Sequence, residues 1–210
     1  MKKYQEDFSG KTSHFIFRPA PHHHISYPRR QISGTAMHNV ILIGMPGAGK
    51  STVGVILAKT LGMNFVDTDI VVQERAVRLL QEIIDREGTA GFLAAEEETI
   101  LSLQCQNTVL ATGGSVILSG RAMAHLKKDG VVVYLEISFG EMEKRLRNIT
   151  SRGIVLPAGQ DLRDMYDQRR PLYEKYAEIT IRCPDGDFEA VVETIVRRRE
   201  TTGIGSGHRA

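Results

Sequence analysis

The chain has 210 residues, 41% of them apolar, with two cysteines and a formal net charge of +2. That length and apolar share fit one globular domain with a sizeable core, and no apolar run reaches the ~20 residues that a membrane-spanning helix needs. Residues 1–36 carry +4 and residues 197–210 carry +3, leaving the body at −5, a balance that argues against a nucleic-acid-binding face.

Residues 1–36 mix prolines, glycines, serines and the triplet His22-His23-His24 without periodicity. They read as a disordered extension, with the ordered domain starting near Met37. The N-terminus has no continuous apolar stretch of the secretory kind. Cys105 and Cys183 lack metal-ligand spacing, so a reducing cytoplasm is the expected setting.

Residues 40–43 (Val-Ile-Leu-Ile) form a short β-branched run, the signature of a buried strand. Gly44-Met45-Pro46-Gly47-Ala48-Gly49-Lys50-Ser51 follows, and residues 52–61 read as a helix. Strand, G-x-x-x-x-G-K-[ST], then helix is the context of a phosphate-binding loop. The backbone of Gly47, Ala48 and Gly49, with Lys50, Ser51 and Thr52 at the helix start, is expected to take the phosphates of a nucleoside triphosphate. Lys50 reaches the β- and γ-phosphates, and the Ser51 hydroxyl is a ligand for Mg2+.

Gly62 stops the helix, and residues 63–66 form a second strand ending in Asp67-Thr68-Asp69. As alternate residues past a strand end, Asp67 and Asp69 are expected to share a face. One carboxylate would hold Mg2+ or its waters and the other a substrate hydroxyl, with helix capping by Asp69 as the competing use. A helix over residues 70–87 is expected to break at Gly88 and resume over 89–103. Residues 108–112 make a third strand that runs into Gly113-Gly114, where a ligand can approach the backbone closely. A short helix over 120–128 precedes a fourth strand at 131–135, apolar throughout.

The fourth strand ends beside Glu136, which imitates the acidic strand end of a mechanical ATPase; no further element of that class is visible. Residues 139–147 are helical. Residues 148–161, rich in Gly, Pro and polar residues, suggest a mobile lid whose Arg152 would reach the transferring phosphate. Residues 162–176 form a helix bent or divided by Pro171, and its Arg169 is placed to clamp an anionic substrate group. A short strand at 179–181, a helix at 188–198 and a flexible tail over 199–210 complete the chain. Alternation of strand and helix predicts an α/β fold: a parallel sheet with helices on both faces. Its ligand site lies beyond the carboxyl ends of the strands, where the phosphate loop, the aspartates and Gly113-Gly114 all fall.

Taken together these residues resemble the shikimate kinases, small phosphate-loop kinases of aromatic biosynthesis. The likeness runs from about residue 39 to 196. It includes Thr52-Val53-Gly54, Phe65-Val66-Asp67-Thr68-Asp69, Phe92 with Glu96, Gly113-Gly114, Val132-Val133-Tyr134-Leu135, Arg152 and Arg169-x-Pro171-Leu172-Tyr173. The resemblance implies a five-stranded parallel sheet, ATP and Mg2+ as cofactors, and a small hydroxylated carboxylate as substrate. A monomer is the expected state, with no nucleic-acid or membrane partner. In that frame Lys50, Asp69 and Arg152 are the catalytic group, and Ser51 and Asp67 serve the metal. Asp69, Gly113, Gly114 and Arg169 hold the substrate, Arg169 taking its carboxylate.

The chain departs from the family pattern on the substrate side. The family's arginine after the residue matching Phe92 is here Leu93, its third glycine after Gly113-Gly114 is Ser115, and its lid Arg-Pro is Arg152-Gly153. Losing one charge-assisted hydrogen bond costs roughly 1.5–3 kcal/mol. Arg75, Arg78 and Arg86 are the candidates to compensate. Two alternatives therefore stand beside shikimate: another hydroxylated acceptor, or a nucleotide-binding regulatory protein without phosphotransfer.

Overall fold

The computed structural model describes residues 38–147, 159–183 and 186–201. Five strands, β1 (Asn39–Ile43), β2 (Asn64–Asp67), β3 (Thr108–Ala111), β4 (Gly130–Glu136) and β5 (Ile179–Arg182), pair in the order β2-β3-β1-β4-β5. Every pairing is parallel. β1 and β3 are buried at every position, as strands with both faces covered must be. The buried Asn39 side chain stitches their starts together, donating to Cys105 O (2.7 Å) and accepting from Thr108 N (3.0 Å).

Seven helices flank the sheet among the described residues: α1 (Lys50–Leu61), α2 (Thr68–Ala76), α3 (Leu80–Ser102), α4 (Gly120–Lys128), α5 (Phe139–Arg147), α6 (Leu162–Tyr176) and α7 (Phe188–Thr201). A 3-10 turn, Val116–Leu118, carries the chain from β3 to α4. None of these helices is long and apolar enough to cross a membrane. The α/β architecture read from the sequence is thus the one observed, and α4 and α5 have the anticipated bounds.

Three local expectations change. The expected helix over residues 70–87 is instead cut at residues 77–79, and the interruption at Gly88 (φ 70°, ψ 178°) is a kink within α3. The cut follows from Val77, which takes a left-handed φ of 51°. No Gly or Pro marks that position. A β-branched residue is the least suited to this conformation, whose cost is about 1–2 kcal/mol for an L residue. Val77 is exposed, so Val77→Asn removes strain without opening the core. This variant is expected to be more stable by about 1 kcal/mol in urea unfolding, with an unchanged m-value.

Pro171 does not divide α6, because Met165, Tyr166, Arg169 and Tyr173 are buried and anchor the helix on both sides of it. α7 runs three residues past the expected end, to Thr201. The expected disordered extension, most of the lid with Arg152, and the tail from residue 202 lie outside the described residues.

Candidate active site

The phosphate loop joins β1 to α1. Gly47 and Gly49 take φ of 80° and 90°, the left-handed region that glycine enters at little cost. Gly49 is the N-cap of α1 and no side chain caps the helix, so its first-turn N–H groups and positive dipole end suit an anion. The loop is tightened by Ala48 N donating to Met45 O at 3.0 Å. Lys50 is nearly buried and curls back, its Nζ donating to Gly44 O (2.8 Å) and Met45 O (3.0 Å). Thr52 is exposed on the first turn of α1.

Ser51 Oγ donates to Asp67 Oδ2 at 2.6 Å. A hydroxyl beside a carboxylate is a hard-oxygen pair of the kind Mg2+ takes when phosphates supply the remaining ligands. Asp67 also caps α2, its Oδ1 accepting from Asp69 N at 3.0 Å. The capping role weighed for Asp69 therefore belongs to Asp67. Nor do the two aspartates share a strand face: α2 begins at Thr68, and the helical turn sends Asp69 elsewhere.

Asp69 turns toward Gly113. A Cβ on Gly113 would come within 2.8 Å of Asp69 Oδ1 and run into Glu96 Oε1, so both carboxyl groups converge on the Gly113 Cα. Gly113 N donates to the buried Thr68 hydroxyl (3.2 Å). Gly114 O accepts from Arg169 Nη1 (3.3 Å) and from the Tyr173 hydroxyl (2.5 Å). Arg169 is buried to 4% exposure, so it is no helix-surface charge. Tyr173 stacks on Tyr134 at 5.2 Å, and burial pushes both phenols up, keeping them neutral. A Cβ on Gly114 would lie 3.0 Å from Pro46 Cδ, which puts Gly113-Gly114 directly against the phosphate loop.

Spacing alone did not single out Arg145 or Phe188. Arg145, paired with Glu141, donates from Nη1 to Gly47 O at 3.1 Å. The Phe188 ring packs so closely on Gly49 that a Cβ there would fall 2.6 Å from it. An arginine in an amphipathic helix and an aromatic at a helix start carry no local signal of such contacts. Glu136, the imitation of an ATPase acid, faces Arg170 (3.6 Å) and Arg182 (3.3 Å) instead.

Of the departures noted in the sequence, Ser115 reaches Glu96 and Leu93 does not. Leu93, one turn earlier on α3, packs against the small cluster of Val72, Ile83 and Phe92. Arg75 donates to Ser102 and Arg78 pairs with Glu87, while Arg86 is exposed, so the proposed compensation by these three is not seen. Ser115 Oγ donates to Glu96 Oε2 at 2.7 Å, and Glu96 Oε1 is buried without a partner. Burial first, then the nearby Asp69 charge, push the Glu96 carboxyl up from 4.5 to about 7 against the opposing pull of Ser115, Arg169 and Lys50. The folded state holds this proton more tightly than the unfolded chain. Its contribution to stability is therefore full below pH 4.5 and is lost as pH rises through about 7.

Comparison with known proteins agrees with this geometry. A family model described as shikimate kinase matches residues 46–200. The shikimate kinase of Actinobacillus succinogenes is 40% identical over 162 residues, covering 75% of this chain and 93% of the relative. That of Paracidovorax citrulli is 39% identical over 173 residues, covering 79% and 94%. Among solved structures, the shikimate kinase from Acinetobacter baumannii in complex with shikimate superposes with a TM-score of 0.74 at 31% identity, covering 79% of this chain and 94% of that one. The Aquifex aeolicus shikimate kinase gives 0.68 at 28% identity, covering 80% and 99%. With the loop, the aspartates and the buried arginine set around one rim, the chain belongs to the shikimate kinase family of ATP-dependent small-molecule kinases.

Proposed function

We propose that this protein transfers the γ-phosphoryl group of ATP to a hydroxyl of shikimate. The observation that carries the reading is the abutment of two half-sites through Pro46 and Gly114. The phosphate loop with Lys50 lies on one side, and Asp69 and Arg169 flank Gly113-Gly114 on the other. The backbone of Gly47, Ala48 and Gly49, with Lys50, Ser51 and Thr52, holds the triphosphate. Arg169 takes the acceptor carboxylate as a planar two-point donor. Asp69 orients the acceptor hydroxyl and receives its proton as the oxygen attacks the γ-phosphorus and the bond to the β–γ bridging oxygen breaks. Ser51 and Asp67 would hold Mg2+, which when bound neutralises phosphate charge. Arg152 of the lid is assigned to the transferring phosphate and to excluding water. The reaction is carried by positioning and charge neutralisation rather than by a covalent enzyme intermediate.

A coupled assay of ATP turnover, run with shikimate and with a panel of other hydroxy acids, tests this. Shikimate-dependent turnover is the expected result; turnover of another hydroxy acid with none of shikimate would sink the assignment. A second reading, a different hydroxylated acceptor, is favoured specifically by Leu93, which leaves Arg169 without a second cation from α3. Leu93→Arg places a guanidinium one turn from Glu96 and is expected to lower the KM for shikimate by about tenfold, since one charge-assisted contact is worth roughly 1.5–3 kcal/mol and some packing is lost. An unchanged or raised KM would show that position 93 does not limit acceptor recognition.

A further inference from the structure

Tyr173 closes the run Arg169-x-Pro171-Leu172-Tyr173 and is fully buried. It stands one turn after Arg169 on α6, so the two side chains share a face. Stacking on Tyr134 of β4, at 5.2 Å and 13° between planes, fixes its ring. The two stacked phenols differ in what their hydroxyls do. That of Tyr134 is buried without a partner among the described residues, whereas that of Tyr173 donates to Gly114 O at 2.5 Å. Arg169 Nη1 donates to the same carbonyl at 3.3 Å, and Arg169 also hydrogen-bonds the Tyr173 hydroxyl. A phenol has one proton to give and lone pairs with which to accept, so both of its bonds stand at once. Carbonyl, phenol and guanidinium close a triangle at Gly114, which lies against Pro46 of the phosphate loop.

We infer that Tyr173 is a positioning residue for the transfer: its hydroxyl keeps hold of the Gly114 carbonyl when Arg169 turns to the acceptor's carboxylate. This rests on the kinase reading above. Arg169 gives up its bond to the phenol and the longer of the two bonds to Gly114 O, and the shorter one stays with Tyr173. The carbonyl is never left unpaired, which would offset what the new contact gains. Without the hydroxyl, Gly114 O and the acceptor carboxylate draw on the same guanidinium, and the acceptor is held less tightly. In this role Tyr173 touches neither the acceptor nor the transferring phosphate, so the chemical step itself is spared.

Tyr173→Phe keeps the ring and its stack and removes one hydroxyl. In the full chain it is expected to raise the KM for shikimate about three- to tenfold, the range of one net hydrogen bond, with kcat and the KM for ATP within about twofold of wild type. Tyr134→Phe removes the hydroxyl that has no partner and should leave all three constants within about twofold. The Arg169→Ala background separates positioning from packing. There Tyr173→Phe should change kcat/KM for shikimate by less than about twofold, because no guanidinium remains to be shared. Multiplied effects of the two substitutions, equal rises in both KM values, or the same acceptor KM in Tyr134→Phe and Tyr173→Phe overturn the role of Tyr173 and leave the kinase reading standing. One measurement does not depend on any variant folding. The chain has no tryptophan, so near-ultraviolet difference spectra of the wild type report its tyrosines. Shikimate should produce a tyrosine band as Arg169 leaves the phenol, and its absence overturns the role of Tyr173 as well. If another acid from the panel replaces shikimate, the same measurements apply to it. An acceptor with no acidic group overturns the role of Tyr173 alone, and no turnover of any acceptor overturns both readings.

Discussion

Lys50→Ala is expected to lower kcat by about 10²–10³-fold for any acceptor, the range seen when one preorganised donor to a developing charge is removed. The ammonium is already held in place, donating to Gly44 O at 2.8 Å and to Met45 O at 3.0 Å. It exchanges these carbonyls for phosphate oxygens when a triphosphate enters the loop. Being nearly buried, it acts where the dielectric is low and a single charge counts for more than it would at the surface. Steady-state kinetics, with circular dichroism to establish that the variant folds, measures the effect. Normal turnover by a folded Lys50→Ala protein would refute the role given to the phosphate loop.

Arg169→Ala is expected to reduce kcat/KM for the acceptor by about 10²-fold or more, with the KM for ATP nearly unchanged. Truncating one partner of a buried charged contact costs about 2–5 kcal/mol, and ~1.4 kcal/mol is a factor of ten. Two losses combine: the acceptor carboxylate loses its cation, and Gly114 O loses one of its two donors, keeping the Tyr173 hydroxyl. Arg169→Lys separates them. It preserves charge but not the planar fork, so its defect should be intermediate and should lie in acceptor KM. An equal rise in both KM values would instead point to a general loosening of the site.

The nucleotide half of the site was legible because its chemistry is local. Eight consecutive residues between a strand and a helix specify a phosphate loop, and the backbone that binds is the backbone that the glycines bend. The acceptor half was legible only in its parts. Asp69, Gly113 and Arg169 could be named, but the reason given for Asp69 was wrong, since it lies in a helix and not on a strand face. The break at Val77 was invisible because its residue type opposes the conformation that it adopts.

What the sequence determined by itself was the order of strands and helices, the phosphate loop and the end of the sheet that carries the site. Each follows from periodicity and turn chemistry within a few residues. What only the tertiary structure decided was which side chains, far apart in the chain, meet. Glu96 and Ser115 are 19 residues apart, and Arg169 and Gly114 are 55 apart. Ser115 and Leu93 were visible one at a time as departures from a family pattern. Packing α3 against the turn after β3 brings Ser115 onto Glu96, while Leu93 packs with Val72, Ile83 and Phe92, and neither contact is written in local sequence.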